Sequence, residues 1–177
     1  MKPPGAVRLT TRIIGCAEPL RQIAMHHRHL KKCGVNTVAG IEVLDARGWP
    51  VAWGLLSRAS ARVLAQDGWM ELSRSCVPDG APPNCASAIL GQAARWARGQ
   101  GQPILTYTLA SEPGTSLVGA GWVQVGVTKG EKSWGRTGRD RGDRTGELAA
   151  RKRRWVPARC IPHALARGWT ITETKEP

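Results

Sequence analysis

Along the first two thirds of the chain, apolar positions recur mostly with a period of two, and two stretches switch to helical spacing. Arg8 to Cys16 reads as a first strand, with Val7, Leu9, Ile13 and Ile14 as apolar contributors. Glu18 to Lys32 has helical spacing, with Leu20, Ile23, Ala24 and His27 on one face, and Gly34 ends it. Val38 to Ala46 and Pro50 to Ser60 are two strands joined by Asp45-Ala46-Arg47-Gly48, a good hairpin turn. Gln66-Asp67-Gly68 is a second turn, leading into a strand from Met70 to Val77. The middle of the chain is therefore an antiparallel meander.

The pattern then changes. Pro78-Asp79-Gly80-Ala81-Pro82-Pro83 breaks the strand, and Asn84 stands where a helix from Cys85 to about Arg98 needs an N-cap. That helix places Ile89, Ala93, Trp96 and Ala97 on one side. Gly99 to Pro103 stops it, and Ile104 to Leu109 is a second apolar, β-branched strand. After the loop Ser111-Glu112-Pro113-Gly114, Thr115 to Ala120 is a short helix and Trp122 to Val127 a strand, with Val123, Val125 and Val127 on one face. A strand that opens into a helix N-terminus is an anion-binding device, because free N–H groups and the helix dipole point at the loop mouth.

Beyond Thr128 the periodicity dissolves into Gly, Arg and Asp, which reads as an extended arm, and Glu147 to Trp155 has the makings of a short basic helix. Charge sharpens this division. The formal net charge of the 177 residues is +13. Residues 128–159 hold eleven Lys or Arg against four acids, more than half of the excess. Trp134 and Trp155 interrupt the basic run, and aromatic rings among cations suit base stacking as well as phosphate neutralisation. Lys132, Trp134, Arg136, Arg139, Arg151, Lys152, Arg153 and Arg154 are thus the candidate nucleic-acid contacts, the alternative being a solvated charge run. Five scattered cysteines without a CxxC pair suggest neither a zinc ribbon nor a disulfide framework. No run approaches the roughly 18 apolar residues of a membrane helix, and the N-terminus lacks a signal-peptide core, so a cytoplasmic location is expected.

The element order and the loop before Asn84 resemble the GNAT acyltransferase fold. The resemblance implies an α/β fold: a mixed, largely antiparallel sheet of six or seven strands flanked by helices over residues 1–127, with a basic arm over 128–177, extended or packed on the same domain. It also implies acetyl-CoA, its pyrophosphate on Asp79, Gly80, Ala81, Asn84, Cys85 and Ala86 and its thioester between the fourth and fifth strands. The loop departs from the usual Q/R-x-x-G-x-G/A pattern by its prolines and its acid. Glu71-Leu72-Ser73-Arg74, Asn84-x-x-Ser87, Thr106-Tyr107 and the His26-His27-Arg28-His29 cluster further resemble a GNAT-like family of prophage proteins. The same skeleton is similar to the Mom-type phage DNA-modification proteins, which convert adenine in DNA to a methylcarbamoyl derivative. That likeness implies double-stranded DNA as partner, a phage-infected or lysogenic host, and base flipping to expose the amine.

The chemistry would fall to few residues. Arg74, on the strand face shared with Leu72, would clamp a phosphate or carboxylate or form a surface ion pair. Glu71, on the opposite face, is a candidate general base, or a partner for an Arg on a neighbouring strand. Ser87, one turn into the helix, could donate a hydrogen bond to the thioester or be ordinary helix composition. Tyr107, the one tyrosine, is either core with its hydroxyl satisfied at the rim or the acid that protonates a departing thiolate. His27 leads the histidine cluster, which could bind metal, act as a base or contact phosphate; no i, i+4 pair supports a zinc helix. The expected activity is transfer of an acyl group to an amine, DNA adenine foremost. An ordinary N-acetyltransferase and a non-catalytic nucleic-acid-binding module are the alternatives.

Overall fold

The alternation in the middle of the chain becomes the meander it suggests. The computed structural model describes residues 8–26, 36–128 and 151–172. Strands β1 (Thr10–Ile14), β2 (Thr37–Leu44), β3 (Pro50–Arg58) and β4 (Met70–Cys76) pair antiparallel in sequence order. β5 (Ile104–Leu109), β6 (Trp122–Val127) and β7 (Lys152–Pro157) complete a seven-stranded sheet in the order β1-β2-β3-β4-β5-β7-β6. The pair β4–β5 is parallel, as its helical crossover requires. Helices α1 (Ala17–His26) and α3 (Cys85–Gly99) pack on the sheet, with α2 (Arg62–Gln66) and α4 (Thr115–Gly119) as short connectors and α5 (Ile161–Ala166) after the last strand.

The two long helices cover opposite faces. Leu55 clusters with Ile23 of α1, whereas a Cβ on the adjacent Gly54 would lie 2.6 Å from Cγ2 of Ile89 in α3. Neighbours in a strand point to opposite sides, so α1 and α3 sandwich β3. The larger core lies on the α3 face, where Ile41, Leu56, Leu72, Ile89, Ala93 and Ala97 are buried together.

Two of the four register shifts in the sheet change which face the site strands present. In β4, Leu56 faces Leu72 and Leu55 faces Arg74, so Ser73 is an extra residue. Its hydroxyl donates to the Leu55 carbonyl at 3.1 Å. The extra residue turns Arg74 away from the face of Leu72 and onto the α1 face, which Glu71 shares through its partner Ser57. The expectation that Arg74 lies with Leu72 and opposite Glu71 is thereby corrected. In β6 the register slips between Gln124 and Val127, around Gly126 at φ 128. Trp122, Gln124 and Val125 are buried and Val127 is exposed, in place of an unbroken valine face.

The largest departure is β7. Lys152–Pro157 is a strand between β5 and β6, where a basic helix was expected. Trp155 is fully buried, and its indole N–H donates to Thr108 Oγ1 at 3.0 Å; it is a core residue and not a base-stacking platform. α2 and α5 have no counterpart in the sequence reading.

Candidate active site between the fourth and fifth strands

β4 and β5 pair only at Met70–Ile104 and Glu71–Leu105. Beyond those pairs the strands separate. The Thr106 hydroxyl spans the start of the gap, donating to the Leu72 carbonyl at 2.8 Å in a buried position. A cavity of about 650 Å³ opens there, lined by residues 71–77 of β4 and its end and 106–109 of β5. Register assigns its walls. Ala86 and Leu90 of α3, Thr106, and Gly114 and Leu117 beside α4 line the α3 face. Glu71, Arg74, Tyr107, Lys152 and His26 line the α1 face.

On the α1 face, Tyr107 sits opposite Arg154 in the β5–β7 ladder, and the guanidinium carbon is 5.9 Å from the phenol ring centroid. Burial pushes the phenol pKa above its ordinary value; Arg154 beside it pulls the other way, and the Glu71 carboxylate adds a smaller rise. Glu71 is buried, and its carboxylate accepts the Ser60 backbone N–H at 2.8 Å; it pairs with no neighbouring-strand arginine. Arg74 donates from Nη1 to the Ser73 carbonyl at 2.5 Å, while its buried Nε has no partner. Arg154 lies 3.9 Å over the Trp169 ring. It is half-buried behind Tyr107 and not part of a free basic run.

On the α3 face, Asn84 precedes the helix as expected, but at φ 68 and without a side-chain capping hydrogen bond. Among the described residues it is the one non-glycine at positive φ. The first intrahelical bond runs from the Ala88 N–H to the Asn84 carbonyl, so the N–H groups of Cys85, Ala86 and Ser87 precede the ladder and have no side-chain cap. Of the loop residues expected to hold a cofactor, Ala86 lines the cavity, while Asp79, Gly80, Ala81, Asn84 and Cys85 do not. Cys85 is buried, and burial raises its thiol pKa. Ser87 also turns away from the cavity: its hydroxyl donates to the Ser116 carbonyl at 3.3 Å and ties α3 to α4.

His27, Lys132, Trp134, Arg136 and Arg139 lie outside the described residues. His26 is exposed at the cavity mouth, and among the described residues no group of His, Cys, Asp and Glu is placed to hold a metal ion. Arg151 is exposed and Arg153 half-buried. No helix is long and apolar enough to cross a membrane among the described residues. Sequence reasoning assigned Lys152 to an arm; its place beside the cavity follows from β7, which the basic run concealed.

No protein-family model and no curated protein matches this chain. Solved structures do. A chimera of the spermidine N-acetyltransferase SpeG from Vibrio cholerae and hSSAT superposes with a TM-score of 0.58 at 12% identity, covering 90% of this chain and 99% of that one. IAA acetyltransferase from Bacillus cereus gives 0.57 at 12% identity, covering 85% and 99%. The NatC complex bound to Gag peptide and CoA gives 0.56 at 8% identity, covering 85% and 98%. The chain has the GNAT fold, a mixed and largely antiparallel sheet flanked by helices.

Proposed function

We propose that this protein is an acyl-CoA-dependent N-acyltransferase, with acetyl-CoA the first-choice donor. The observation that carries the reading is the cavity through the β4–β5 gap, with Ala86 of the uncapped first turn of α3 on one wall and Glu71 and Tyr107 on the opposite wall. The residues present fit such a donor. The N–H groups of Cys85 to Ser87 suit a pyrophosphate, and Ala86 leaves that end of the cavity open. Pro82, Pro83 and Asp79 supply less to that site than a glycine-rich basic loop would. The CoA-bound NatC structure, of the same fold, supports this choice of donor.

The donor would supply an activated acyl carbon. The chain would supply proton handling from the α1 face. Glu71, held by the Ser60 N–H, would take a proton from the attacking amine. Tyr107, kept neutral by burial, would give one to the departing thiolate. Release of free CoA thiol, followed with a disulfide reagent in the presence of candidate amines, tests this; Glu71→Gln and Tyr107→Phe should each lower the rate at least about a hundredfold. Unchanged rates in both variants would remove the assigned roles.

We further propose that the acceptor is the exocyclic amine of adenine in DNA, as kinship with Mom-type phage proteins would imply. The net charge of +13 supports a polyanionic acceptor over a small or proteinaceous one. Mass spectrometry of nucleosides from DNA co-expressed with the protein tests it. Unmodified adenine, with thiol release on a small amine, would favour an ordinary N-acetyltransferase. A methylcarbamoyl product contains a nitrogen that acyl transfer from acetyl-CoA does not provide, so the mass of any product also reports on the donor.

A further inference from the structure

We propose that the α1 half of the cavity binds an oxyanion of the acceptor, a phosphate or carboxylate carried close to the reacting amine, and that Arg74 and Lys152 hold it. The inference rests on the acyltransferase reading. If the donor enters along α3, the amine must arrive from the opposite face, where these two residues stand.

Four observations point the same way. The bulge at Ser73 places Arg74 on this face; a regular strand would have turned it toward α3 with Leu72. Arg74 keeps a buried Nε without a partner, and among the described residues neither it nor Lys152 forms an ion pair. The carboxylates on the same cavity already accept backbone N–H bonds, Glu71 from Ser60 and Glu112 from Leu109. Lys152 stands opposite Leu109 in the β5–β7 ladder, two positions along from the Tyr107–Arg154 pair, so it reaches the cavity from β7, on the far side of β5 from β4. A guanidinium and an ammonium converging on a half-enclosed site leave donors for an anion. They would disfavour a polycationic amine.

The probes are deoxyadenosine 5′-monophosphate, deoxyadenosine and glutamate, titrated calorimetrically into the protein with and without saturating CoA. The first pair differs by a phosphate; glutamate offers an amine beside carboxylates. The monophosphate should bind at least about tenfold tighter than the nucleoside, as one charge-assisted contact provides. That margin should vanish in Lys152→Gln and Arg74→Gln and survive in Lys152→Arg, with melting temperatures checked for each. Glutamate binding that depends on both residues, without a nucleotide preference, would identify a carboxylate as the anion and also support the proposal. Equal affinity for nucleotide and nucleoside with no glutamate binding would overturn it, as would margins unaltered in both glutamine variants. Failure of CoA to bind counts against the acyltransferase reading alone, because the CoA-free series still measures the anion preference.

Discussion

Tyr107 and Arg154 face each other across β5 and β7, and the arginine in turn stacks 3.9 Å over Trp169. The stack anchors the guanidinium where it can tune the phenol. Because the chain has one tyrosine, the phenol can be titrated directly by its ultraviolet difference spectrum. Its midpoint should lie above the ordinary value of about 10, burial being the largest cause. Arg154→Met removes the opposing influence and should move the midpoint further up. The sign for stability follows. A raised phenol pKa favours the folded state below the unfolded value, and that contribution is lost as pH rises through the folded value. A midpoint at or below the ordinary value would contradict this assignment.

The hydroxyl of Thr106 holds the start of the gap. Thr106→Val keeps the shape but leaves the buried Leu72 carbonyl without that donor. The expected cost is about 1–3 kcal/mol, a fall in melting temperature of roughly 2–4 °C for each kcal/mol in a chain of this size. An unchanged melting temperature would show that water replaces the hydroxyl.

Gly114 forms the floor under α4. A Cβ there would lie 2.5 Å from Trp155 Cζ2 and 2.8 Å from Cη2, on a backbone at φ 75. Trp155 is fully buried and cannot withdraw. Gly114→Ala should therefore destabilise by at least about 2 kcal/mol in chemical denaturation, combining overpacking with left-handed strain. Gly121→Ala, at similar φ with open space around it, separates the two causes and should cost less.

The basic run divides by position. Arg151 is exposed, so Arg151→Ala should leave the melting temperature unchanged; if the residue neutralises a DNA phosphate, it should reduce the log–log salt slope of duplex binding by about 0.9. Arg154→Ala should lower the melting temperature through the lost stack on Trp169. Fluorescence anisotropy and thermal melts check both. Equal behaviour of the two variants would return the run to a uniform solvated charge cluster.

This division also marks what the sequence made legible. The meander, the helix after Asn84 and the strand at Ile104 carry clean periods, and all three stand where expected. β7 was hidden because Arg151, Lys152, Arg153 and Arg154 present no contrast between faces; long basic stems can line a half-buried strand while their charges reach solvent or stack on a ring. The face of Arg74 was hidden because a bulge at a serine leaves no mark in composition. Glu71, Arg74 and Tyr107 were all legible as candidates, but their meeting on one face depends on that bulge. The partner of Ser87 was not legible because its hydroxyl donates to α4, a contact between elements far apart in the chain.

The central claim is that a CoA thioester occupies the cavity between β4 and β5. Calorimetric titration of acetyl-CoA into the wild-type protein and into Ala86→Glu tests it most directly. Ala86 lines the α3 side of the cavity in the first turn of α3. A glutamate there would place negative charge at the expected pyrophosphate position, yet favour the helix dipole by about 0.3–1 kcal/mol. The expected result is saturable binding to the wild type, lost in Ala86→Glu with the melting temperature maintained or raised. No heat from the wild type at millimolar acetyl-CoA, or equal affinity in the two proteins, would contradict it.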